Sequence, residues 1–376
     1  MQAFSDTEVS LRRTRCRRAV SPGGRLVRWL TPAPAAPAAA GPNVSIVVLL
    51  DKAAQGAARE AVERGVPARL AVAGAADPAC VVYLGRRTRR GHTWDSFRKI
   101  EPAGGFDHVE FLLSRAPSGE VRAIDMYFMS TDEEVSETVR RVVLPQYQND
   151  PKSLAARLSR SETTLIGLSP KIAAARQAMS AGEGQRALEL LDLLPREFSS
   201  QKWVLALRIE ASRLVGKEAY AHALEQLQVA FPDDPGTNLA LVDLHLLRGH
   251  HDDALTAVAT AEKHAMPDAH FDVVRAGILL EAGRLEQAKA LAERAAKRAP
   301  RDLYPYWTLV AISLASARHA ETTKLLTDMG ERFGLTYDLE QQPEYAQYIA
   351  SPQYRDLPAE LLVHRSANDR PAVAGE

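Results

Sequence analysis

Two groups of side chains in this 376-residue sequence have types and spacing that could do chemistry. His245, His250, His251, His264 and His270 crowd one stretch with Asp252 and Asp253 beside them, and imidazole with carboxylate is a common donor set for zinc and other divalent ions. None of these histidines forms the His-Glu-x-x-His pair that puts two ligands on one helical face, and His250 and His251 fall on a turn. No metal site and no cofactor are therefore predicted. The second group occupies alternate positions of two extended segments: His108 with Glu110, and Asp125 with Tyr127. In a pocket, a desolvated carboxylate acts as a base and a phenol stabilises an oxyanion. On a solvated sheet, or against a neighbouring domain, the same four residues are only a polar face. A third feature, the run Arg86-Arg-Thr-Arg-Arg90 with Trp94 and Phe97 nearby, could neutralise phosphate and stack bases. It is brief and reads as a solvated loop. Nucleophile elbow, dinucleotide fingerprint, phosphate loop and kinase signature are all missing from the sequence, so no catalytic residues are predicted.

Positioning these groups requires strands and helices. Period-two alternation marks three strands, Thr93 to Ile100, Phe106 to Arg115 and Glu120 to Met129, separated by Pro102-Ala-Gly-Gly105 and Pro117-Ser-Gly119. Leu49 to Arg64 reads as an amphipathic helix. Thr131-Asp-Glu-Glu134 supplies an N-cap and an acidic first turn for another, which runs through Val135, Val139 and Val142 and stops before Pro145. These elements predict a small α+β domain over 43–148, a helix on an antiparallel sheet, with a helical connector over 149–168. Residues 1–42 differ: seven arginines face only Asp6 and Glu8, and a Pro/Ala-rich stretch follows. That composition predicts a disordered leader. Transit signals, anchors for acidic surfaces, a misassigned start and a degraded export signal share the pattern.

From Ser169 to Gly334 a helix-pair pattern returns about five times, marked by Ala187, Ala223, Ala254, Ala288 and Ala320. A second small residue follows in three units (Ala230, Ala261, Ala295), then a proline (Pro235, Pro267, Pro300). Repetition at such a period predicts a stacked, all-helical solenoid over 169–334. Gly182, Gly249 and Gly283, each five residues before a marker, suit the tight turn between the paired helices. Gly216 stands seven before Ala223, implying two extra residues, and Ala315 or Ser316 takes the glycine's place in the fifth unit. Tyrosine-rich residues 335–364 read as a cap over the open end, and 365–376 as a frayed tail.

Lys plus Arg equals Asp plus Glu at 47 each, so no overall field draws the chain to nucleic acid or acidic membranes. The longest early apolar run, Ile46 to Leu50, is far short of a membrane span. Cys16 and Cys80 have no paired spacing and form no disulfide framework. The default location is cytoplasmic. Oligomeric state is not legible.

Three segments, Glu120-Val-Arg-Ala-Ile-Asp-Met-Tyr-Phe-Met129, Ser136-Glu-Thr-Val-Arg-Arg141 and Tyr306-Trp-Thr-Leu-Val-Ala-Ile-Ser-Leu314, carry a resemblance. The chain resembles bacterial tetratricopeptide-repeat proteins with a small α+β domain of the ketosteroid-isomerase-like cone type in front. The resemblance implies that architecture and, as for such arrays generally, a non-enzymatic scaffold that binds a protein or peptide. With the first helix of each pair lining a concave face, the groove candidates are Glu210, Arg213, Asp243, Leu246, His270, Val273 and Leu280. Their mixed charges suit an extended or helical peptide with mixed charges of its own. The alternative function is a small-molecule binder or enzyme that uses a front-domain pocket lined by His108, Glu110, Asp125 and Tyr127.

Overall fold

Five strands form one antiparallel sheet in chain order: β1 Cys80–Arg89, β2 His92–Ile100, β3 Phe106–Arg115, β4 Val121–Phe128 and the two-residue β5 Glu133–Glu134. The computed structural model describes residues 80–100, 106–115, 121–137, 160–340 and 342–362. The leader, the helix expected from Leu49 to Arg64, the continuation through Val139 and Val142, and the tail lie outside the described residues. The three predicted strands are found to within one residue at each end. Strand β1 corrects the reading of the basic run as a loop. Arg86 pairs with Asp95 at 2.9 Å and Arg90 with Glu134 at 2.9 Å, so those charges are met by carboxylates of the same sheet. A second correction concerns Thr131 to Glu134. Glu133 and Glu134 pair back onto Phe128 and Tyr127, and the helical turn starts only at Val135.

Among the described residues, eleven helices follow before the C-terminal segment: α1 Arg160–Ser180, α2 Gly184–Asp192, α3 Arg196–Ser199, α4 Lys202–Val215, α5 Lys217–Ala230, α6 Pro235–Leu247, α7 His251–His264, α8 His270–Glu281, α9 Leu285–Arg298, α10 Tyr304–Ala315 and α11 His319–Phe333. From Arg160 on, the expected connector and the first helix of the first pair are one continuous element, α1, with Pro170 inside it, and the earlier part of the connector lies outside the described residues. The chain divides into two compact units, the described residues through Asp268 in the first and those from Ala269 in the second.

In each second helix of a pair, the fourth residue is buried and its N–H bonds to the carbonyl four residues back. These residues are Ala187, Tyr220, Ala254, Ala288 and Thr322. They are spaced by 33 residues once (187 to 220) and by 34 three times (220 to 254, 254 to 288, 288 to 322). The alanine markers need correction in two units: Ala223 is buried but lies three residues past Tyr220, and Ala320 is exposed. Seven positions on, Leu194, Leu227, Ala261, Ala295 and Met329 are buried, whereas Ala230 is exposed. Tyrosine and threonine fill two crossings that small residues fill elsewhere, which disguised a more regular period. Measured to Tyr220, the Gly216 turn is one residue shorter than the others. In the last pair Ala317, at φ 51°, occupies the left-handed position that Gly182, Gly249 and Gly283 hold at φ 72–78°.

In the first unit, α1 to α4 enclose a core that includes Ala175, Met179, Ala187, Leu191, Phe198 and Val204. Asp234 caps α6 by accepting from Thr237 N at 2.7 Å and also holds Lys202 at 2.6 Å. Close by, Gly236 packs on the end of β4: a methyl there would collide with the Met129 carbonyl and come 2.6 Å from that of Ser130. Sheet and helices are thus in direct backbone contact.

In the second unit, Asp272, 1% exposed, accepts from Arg294 through Nε at 2.9 Å and Nη2 at 2.6 Å, and from Arg298 at 3.1 Å. Burial would push its carboxyl up, but the two guanidiniums outweigh burial and hold it below the usual carboxylate range. Residues beyond Gly334 fold back over α10 and α11, burying Tyr337, Tyr345, Tyr348 and Leu357 with Trp307, Leu326 and Met329.

Candidate functional site

Strand alternation sorts the sheet into two unlike faces. One carries an aromatic row, Tyr83, Phe97 and Phe111, with ring centres 5.2 and 5.4 Å apart. On the other, the register sets Ser96 beside Glu110 and Glu110 beside Tyr127, with His108 beside Arg98. All five of these polar side chains are at most 5% exposed. Burying them is costly unless each charge is met, and the helical part of the same unit supplies the partner. Asp268 receives Arg98 Nη1 on Oδ1 at 2.6 Å and faces His108 Nε2 with Oδ2 at 3.1 Å. Arg87, reaching across from β1, pairs with Glu110 Oε1 at 3.0 Å and donates from Nη1 to the His264 carbonyl at 2.9 Å.

Between sheet and helices remains a cavity of about 160 Å³, lined by Arg87, Arg89, His108, Glu110, Tyr127, Met129, Asp132, Pro235, His264 and Ala265. Its polar groups are only partly matched. Ser96 Oγ donates to Glu110 Oε1 at 3.3 Å, while Glu110 Oε2 is buried and has no hydrogen-bond partner among the described residues. Arg89 sits over the Tyr127 ring, its Cζ 3.2 Å from the ring centre, and its Nη1 likewise has no hydrogen-bond partner. The Tyr127 hydroxyl donates to Asp132 Oδ1 at 2.7 Å. Burial first, then the hydrogen bond to Asp132 and the charge there, raises the phenol's pKa, so it stays protonated and acts as a donor. The arrangement can accept a hydrogen bond at Glu110 and donate one at Arg89, which suits recognition of a small polar group.

No family model matches the chain, and no curated protein and no solved structure shows significant similarity to it. Function therefore rests on geometry.

Three of the four predicted pocket residues, His108, Glu110 and Tyr127, line the cavity. Asp125 does not: its Oδ1 accepts from Met126 N at 2.8 Å and Ser136 N at 3.1 Å, fixing the chain where it leaves β4. The sequence reading missed Arg87, Arg89, Asp132 and His264. Their signal was available in part, because Arg87 and Arg89 alternate along β1 as the other pocket residues do along theirs.

The groove candidates are dispersed. Glu210 is exposed, and Arg213 and Leu280 are half-buried. Asp243, Leu246, His270 and Val273 are buried, so these four do not present an open surface. Two candidates meet inside the first unit: Arg213 donates to the Tyr220 hydroxyl at 3.0 Å, and that hydroxyl donates to Asp243 Oδ2 at 2.7 Å. Asp243 Oδ1 has no hydrogen-bond partner among the described residues. Burial pushes its carboxyl up to about 7, with Tyr220 and Arg213 pulling the other way. Of the five crowded histidines, His264 borders the cavity and His270 packs edge-on against Tyr304, with ring centres 5.5 Å apart. No helix among the described residues is long and apolar enough to cross a membrane.

Proposed function

We propose that the chain is a non-enzymatic helical-repeat protein of tetratricopeptide type that holds a protein or peptide segment on the outward side chains of its first helices. One observation carries this reading. The buried fourth residues of the second helices recur at 33 or 34 residues, and 34 is the tetratricopeptide period. A unit that cannot bury its apolar face alone is typical of arrays that serve as binding surfaces. The surface is best sought around Glu210 on α4. With a photoactivatable residue at position 210, covalent adducts should form in cells of the native host. The same residue at the 85% exposed Val229 on α5 should give none. Adducts only at 229, or at neither position, would remove the assignment.

A second reading is favoured by the unmatched Glu110 oxygen in the cavity. In this reading the first unit binds a small molecule bearing one hydrogen-bond donor and one acceptor, such as a zwitterionic or amide-bearing metabolite. A thermal-shift panel of small amino acids, amides and amines should then find a stabilising compound whose effect is lost in Glu110→Gln. A panel with no hit, or a hit that survives the substitution, would argue against it.

A further inference from the structure

The turn between α6 and α7 places three metal-binding atoms together. One each from His245, His250 and Asp253 lie within 4.8 Å of one another, and His250 Nδ1 is 3.7 Å from Asp253 Oδ2. From these positions we infer that the α6–α7 hairpin carries a binding site for a divalent transition ion of the zinc class, clasping the end of one helix to the start of the next.

Backbone geometry brings the two imidazoles together. At the end of α6 the His250 N–H bonds to the His245 carbonyl at 2.7 Å while Gly249, at φ 72°, turns the chain in the left-handed region. This six-to-one bond juxtaposes two side chains five residues apart, a pair that is usually apolar. Three other turns between paired helices have the same bond, at 2.8 to 2.9 Å, and put Ala178, Leu279 or Ser313 at the first of these positions. Their later residues form local pairs, as Glu183 does with Arg186 and Arg284 with Gln287. His250 and Asp253 take the place of such a pair, and only here among these turns does an imidazole face it from the preceding helix. Sequence spacing obscured the site, because its ligands come from two helices and a turn and not from a single helical face.

Ligand chemistry agrees with the geometry. Two imidazoles and one carboxylate suit zinc, nickel or copper more than calcium or magnesium. An ion with ligands at about 2.1 Å sets them roughly 3.4 Å apart. The His250 and Asp253 side chains, 60% and 64% exposed, are not locked by packing. Three protein ligands leave a fourth position for water or for a donor from another molecule.

The test uses untagged full-length protein titrated with zinc alone by calorimetry and with cobalt alone by visible absorption. The expected result is saturable binding of one ion per chain, intense cobalt bands of a four-coordinate site, and a higher unfolding temperature with zinc. Affinity should fall at least about tenfold in His245→Ala and in Asp253→Asn, and stay unchanged in His251→Ala. Circular dichroism and metal-free melting of each variant separate loss of the site from loss of the fold. Absence of saturable binding, or binding that survives in the doubly substituted His245→Ala, Asp253→Asn chain, would overturn the inference.

Discussion

Replacing Asp243 with asparagine should stabilise the protein at pH 8 and flatten its loss of stability between about pH 4 and pH 7. In the folded chain the Asp243 carboxyl sits at about 7, against an ordinary value of about 3.9. A raised folded-state value means that the folded chain holds a proton the unfolded chain has already released. The contribution is fully present below about pH 4 and is lost as pH rises through 7. Three units correspond to a change on the order of 4 kcal/mol, in a side chain with no solvent exposure. The proton has an evident seat on Oδ1, which has no hydrogen-bond partner, while Oδ2 takes the Tyr220 hydroxyl. Asparagine keeps the acceptor for Tyr220 and never ionises. Urea unfolding of both proteins at pH 5, 6, 7 and 8 measures the difference. Parallel profiles would mean that Arg213 keeps the carboxylate charged throughout.

Asp268→Ala should be more damaging at every pH. It leaves Arg98 and His108, each at most 2% exposed, facing each other without the carboxylate that receives both. Removing one partner of a buried ion pair costs about 3 to 5 kcal/mol. A charge-neutral double replacement, Asp268→Leu with Arg98→Met, should recover much of that loss, since apolar groups of similar volume are often tolerated where a buried pair stood. Denaturation midpoints of wild type, single and double variants decide the matter. A single variant within about 1 kcal/mol of wild type would show that water reaches the pair.

Much of the fold was legible because the signals were local. Alternation from Phe106 to Arg115 states a strand without reference to anything distant, and Gly182, Gly249 and Gly283 announce left-handed turns by residue type alone. What escaped depended on partners far along the chain. The run Arg86 to Arg90 read as a loop because it is brief and precedes a strand, and the acids that meet its arginines, Asp95, Glu110, Asp132 and Glu134, lie on other strands or turns. Asp243 read as a groove-lining residue because nothing at its own position indicates that Tyr220 and Arg213 close over it. Tyr220 and Thr322 hid the more regular spacing because a crossing of two helices can be filled by one large residue or by small ones, depending on what its neighbours leave free.

The Arg98, His108 and Asp268 contact has a practical corollary for anyone dissecting the molecule. Cutting the chain ahead of the first helix would strand Arg98 and His108 on one fragment and Asp268, which meets both, on the other, each in a surface shaped for burial. Neither piece would be a faithful miniature of the whole, and loss of binding by an isolated helical fragment could report damaged architecture and not a missing recognition element.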